Sequence, residues 1–63
     1  MIENPREFAE VSLKSFRNRA SKRAEDAERH IKEGEYSAAM TAIADAMMYD
    51  AIAREYELVL EAI

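Results

Sequence analysis

The chain has 63 residues, a net charge of −4, no cysteine, and one each of histidine, glycine and proline. A chain this short buries only about 60% of its extended surface, so it needs a disulfide, a metal, exceptional packing or a partner subunit to hold a fold. The missing cysteines exclude the first, and a single histidine argues against the three or four N/S ligands of a zinc site. A second copy of the chain is the expected remedy.

The opening MIENPREF lacks the apolar run of a signal peptide. No stretch approaches the ~20 apolar residues of a membrane span, and the cysteine-free composition fits a cytoplasmic protein. Charge is distributed unevenly: residues 1–13 sum to −2, residues 14–23 to +5, and the remainder to −7.

In chain order, Asn4-Pro5-Arg6-Glu7 reads as a helix start, with Asn as N-cap, Pro at the first helical position and Glu at the third. Glu10 to Ser15 then alternates polar and apolar with period two, the mark of a half-buried strand. The expectation is one helical turn near Pro5 and an extended segment over about residues 9–15. Such a strand must pair with a copy of itself to satisfy its backbone.

A helix is expected next over about residues 19–33, capped by Asn18 or Ser21. Ala20, Ala24, Ala27 and Ile31 form its inner stripe, with Phe16 just ahead. Opposite charges four residues apart (Lys22 with Asp26, Glu25 with Arg29, Glu28 with Lys32, Arg29 with Glu33) mark its solvated side. Gly34 stands where a left-handed residue ends a helix. So short a joint implies an antiparallel hairpin.

The last element is a long helix over about residues 36–62, free of Gly and Pro and rich in Ala, Met, Leu and Glu. Ala39, Met40, Ile43, Ala44, Met47 and Ala51 lie on one side. Met48, Tyr49, Ile52, Ala53, Tyr56, Val59, Leu60 and Ile63 lie on another, roughly 180° away. One neighbour would require one stripe. The switch, and the overhang of a thirty-residue helix on one half as long, predict that the C-terminal half meets a second subunit.

The fold expected is therefore mainly α: a helical hairpin with a long second helix and a short N-terminal strand, intertwined as a homodimer. The expected dimer or partner interface comprises Val11, Leu13, Met48, Tyr49, Ile52, Tyr56, Val59, Leu60 and Ile63. Met and Tyr suit such surfaces, and a cleft between subunits would receive a partner helix.

Other chemistry is sparse. Lys14, Arg17, Arg19, Lys22 and Arg23 form a basic cluster that offers an alternative, contact with nucleic-acid phosphates, although no helix-turn-helix signature accompanies it. His30, with Asp26 and Glu33 nearby, reads as a surface histidine favoured by the helix C-terminal dipole. Carboxylate pairs such as Glu57 with Glu61 and Glu25 with Glu28 read as solvated faces. No cofactor and no catalytic residue are expected.

The segment from Ala24 to Asp50 resembles one tetratricopeptide hairpin in its small residues, its Gly34-Glu35-Tyr36 turn, Ala39 and Ala46. It lacks the terminal Pro, and only one copy is present. As a whole the chain resembles the short early-region proteins of lambda-like temperate bacteriophages, those encoded between the exonuclease and excisionase genes. The length, the Phe8-Ala9-Glu10-Val11-Ser12-Leu13 stretch and the two following helices carry that resemblance. It implies a dimer with two helices and one strand per subunit, acting without catalysis in lytic development by binding a host or phage protein.

Overall fold

The computed structural model describes residues 4–63, and these form two helices: α1, Pro5–Lys32, and α2, Tyr36–Ala62. The N-terminal signal is realised as written. Asn4 is extended, and its side chain accepts from the Glu7 N–H at 2.7 Å, with Pro5 in the first turn. With no glycine or further proline until Gly34, nothing then stops the helix.

The expected strand over residues 9–15 is therefore wrong. These residues are helical, and no strand occurs among the described residues. The period-two alternation covered only six residues. Helical burial of Ala9, with Ser12, Leu13, Ser15 and Phe16 half-buried, outweighs it. The α1 boundary near residue 19 is displaced to Pro5 for the same reason, whereas α2 spans the residues expected of it.

The turn is a Schellman closure. Gly34 has φ 75°, Glu35 N–H donates to the His30 carbonyl at 2.8 Å, and Gly34 N–H donates to the Ile31 carbonyl at 3.1 Å. The last carbonyls of α1 are thus satisfied while the chain reverses.

With helices of 28 and 27 residues there is no overhang, and α2 is covered by α1 along its length. The seam between them repeats at alternating three- and four-residue steps, the spacing of a coiled coil. On α1 it is Ala9, Leu13, Phe16, Ala20, Arg23, Ala27 and His30; on α2 it is Ala39, Ala42, Ala46, Tyr49, Ala53, Tyr56 and Leu60. All six buried residues of the hairpin, Ala9, Ala20, Ala27, Ala39, Ala42 and Ala53, belong to it.

Counted outward from the turn, seam residues fall level in pairs. They are His30 with Ala39, Ala27 with Ala42, Arg23 with Ala46, Ala20 with Tyr49, Phe16 with Ala53, Leu13 with Tyr56, and Ala9 with Leu60. Every layer but Leu13–Tyr56 contains an alanine, so in six of the seven layers a methyl stands opposite its partner and the axes approach closely. Ala24 and Ile31, expected in this stripe, are exposed instead, because the seam passes through Arg23 and His30.

An alanine seam buries little. No large side chain is fully buried, and a methyl contributes only about 0.8 kcal/mol. The hairpin is a thin rod, 45 × 21 × 11 Å along its principal axes, with its bulk outside. Among the described residues no helix is long and apolar enough to cross a membrane.

Candidate interaction surface

One side of the hairpin carries an aromatic ladder that joins the helices. Phe8 meets Tyr56 edge-on, ring centroids 6.0 Å apart at 63°. Phe16 stacks on Tyr56 at 6.0 Å and 13°, and lies 6.0 Å from Tyr49 at 36°. Such pairs each contribute about 0.5–1.5 kcal/mol beyond burial. The Arg19 guanidinium lies over Phe16 at 5.1 Å and near Tyr49 at 6.0 Å, where the ring face attracts a cation.

At about 100° per residue, Phe8 on α1 and Met48, Ile52, Val59 and Ile63 on α2 fall along this side, while Val11 lies on the back of α1, away from the seam. Phe8, Met48, Val59 and Ile63 on this side are 44–55% exposed, as is Val11 behind them, while Tyr49, Ile52 and Tyr56 are half-buried. The nine residues expected at an interface therefore divide. Leu13, Tyr49, Tyr56 and Leu60 occupy the intrachain seam, filling the space that the sequence reading reserved for a second subunit. Val11, Met48, Val59 and Ile63 remain open to a neighbour, with Ile52 between. Phe8 was missed because it was read as lying ahead of a strand; a helix running from Pro5 would have placed it beside Val11.

A second apolar strip runs along the flank of α2, about 100° around the helix from the seam and on the side away from the aromatic ladder. Tyr36, Met40, Ile43 and Met47 follow one another at steps of four, three and four, and Met40 is 70% exposed. From Tyr36 to Tyr49 the sole charged residue is Asp45, and its carboxylate is held by Arg23.

The basic cluster is taken apart by the fold. Arg17 pairs with Glu57 across the hairpin. Arg23 binds Asp45 through Nε at 3.0 Å and Nη2 at 2.9 Å, and Asp26 through Nη1 at 2.9 Å. Arg19 is stacked on the aromatic ladder. Lys14 and Lys22 alone enter no ion pair or ring contact among the described residues, and they point about 80° apart around α1. Asp26, bonded by Arg23 and also by Arg29 at 3.1 Å, is held below its ordinary pKa of 3.8, chiefly by the Arg23 hydrogen bond. Of the four i,i+4 pairs expected on α1, Glu28 with Lys32 forms, at 3.4 Å; Asp26 is drawn to Arg23 instead of Lys22.

At the turn, His30 Nδ1 lies 2.8 Å from Glu35 Oε1, and this bond chiefly holds the Glu35 carboxyl below its ordinary value. Asp26, expected beside His30, is engaged with the arginines, and Glu35 takes its place. Comparison with protein-family models, with curated proteins and with solved structures finds no match to this chain.

Proposed function

We propose that this chain is a non-enzymatic interaction module, a helical hairpin that self-associates through its aromatic side and presents the outer strip of α2 to another protein. One observation carries the reading: four large apolar residues, Phe8, Met48, Val59 and Ile63, about half exposed on one side of a hairpin whose core is alanine. Pairing that side with a second copy supplies the apolar burial that the seam does not. The Met-rich strip then remains for a partner helix, methionine adapting to varied surfaces.

The alternative, a nucleic-acid regulator built on residues 14–23, has less to support it, because three of its five cations already face Glu57, Asp45, Asp26 or aromatic rings. The phage resemblance drew partly on an extended stretch at residues 8–13 that is helical here, and the proposal does not depend on it.

Solution mass by light scattering over a concentration series tests the reading. Twice the 7.2 kDa chain mass is expected, falling to the monomer in Val59→Asp combined with Met48→Asp, since each would put an unpaired charge in the interface. Neither residue is in the seam, so far-ultraviolet dichroism should still report helix. A dimer undisturbed by the double variant, or a wild-type chain monomeric throughout, would remove self-association through this side.

A further inference from the structure

We infer that His30, Glu33 and Glu35 form a binding site for a divalent transition-metal ion of the zinc or nickel type at the hairpin turn. One imidazole nitrogen and two carboxylate oxygens lie mutually within 4.8 Å. Imidazole with carboxylate is a donor set suited to zinc and nickel. In a tetrahedral zinc site with bonds of about 2.0–2.2 Å, neighbouring donors stand about 3.3 Å apart. His30 Nδ1 and Glu35 Oε1, at 2.8 Å, are already near that spacing. Glu33 needs only a rotation of its exposed side chain.

The surroundings favour a cation there. The cations on the same turn are engaged backwards along α1, Arg29 on Asp26 at 3.1 Å and Lys32 on Glu28 at 3.4 Å. Two carboxylates are thus left at the negative end of a 28-residue helix, with His30 as the basic group bonded to one of them, Glu35. The backbone holding the ligands is fixed by the Schellman bonds and the left-handed Gly34, so little ordering is needed on binding. The metal takes the place of the hydrogen bond between His30 and Glu35, and its binding to a charged imidazole releases a proton; water completes the coordination. The consequence is a clasp joining the last turn of α1 to the residue that opens α2.

The test is calorimetric titration of the whole protein with Zn2+ and Ni2+ at neutral pH, alongside histidine ring shifts by NMR. One ion per chain is expected, with the His30 ring resonances moving on addition of Zn2+. Affinity should fall at least tenfold in His30→Gln and in the double variant Glu33→Gln/Glu35→Gln, while Ca2+ binds far more weakly. Circular dichroism of each variant checks that the helices persist, and Asp50→Asn serves as a carboxylate control that leaves binding unchanged. No saturable binding of either ion would overturn the site. So would affinity unaffected by His30→Gln, or zinc binding that leaves the His30 resonances in place.

Discussion

Arg23 and Asp45 meet across the seam through two guanidinium nitrogens, Nε at 3.0 Å and Nη2 at 2.9 Å from the same carboxylate oxygen. Arg23 occupies a seam position that a hydrophobic residue would ordinarily fill, level with Ala46. The small partner leaves room for the guanidinium to reach past the helix interface. This contact and the Arg17–Glu57 pair define one antiparallel register. A one-turn slip would leave both arginines facing the wrong residues.

The seam should reject bulk. Ala42 is fully buried and level with Ala27, so Ala42→Leu should lower stability by about 1–3 kcal/mol through overpacking. Ala44→Leu, on the exposed side of the same helix, should change it by less than about 0.5 kcal/mol. Urea denaturation of the two variants decides the matter; equal effects would mean that the alanines do not set the helix separation.

Gly34 has φ 75°, and a Cβ placed there meets nothing within 4 Å. The cost of Gly34→Ala is then backbone strain alone, about 1 kcal/mol. Gly34→Asn should cost less, because Asn tolerates the left-handed region. Thermal melts that rank Asn below Ala would contradict this account of the turn.

Acid should weaken the hairpin partly through Asp26. Its folded pKa lies below the 3.8 of the unfolded chain, so over that interval the unfolded state binds more protons. Stability from this group is complete above about pH 5 and is lost as pH falls through the folded value. Melting midpoints from pH 7 to pH 2.5 should show wild type above Asp26→Asn at neutral pH, with the gap closing in acid. A gap independent of pH would separate Asp26 from the acid transition.

The two ends of the hairpin logic were legible in the chain: Asn4-Pro5-Glu7 opens α1, Gly34 closes it, and α2 spans Tyr36–Ala62. The seam was not, because an apolar search favours large residues and this interface is marked by small ones. Arg23 and His30 stand where a hydrophobic stripe would continue, which shifted the reading to Ala24 and Ile31. Tyr49, Tyr56 and Leu60, expected at a dimer or partner interface, lie instead on the side of α2 that faces α1. That error followed from starting α1 at about residue 19, fourteen residues after its true start at Pro5, which left half of α2 without a neighbour. Likewise the basic run at residues 14–23 is contiguous in sequence, yet a helix spreads it around its circumference, and only the pairing of α1 with α2 shows which cations are already answered.

The alanine layers have a mechanical consequence. In most domains a deep core of large side chains lies between one surface and the opposite one and absorbs small displacements by repacking. Here little more than a single layer of methyl groups separates the two helices, and those methyls have no alternative rotamers. A partner pressing on the aromatic side therefore acts on the helix spacing directly, and the strip from Tyr36 to Met47 must move with it as part of one stiff body.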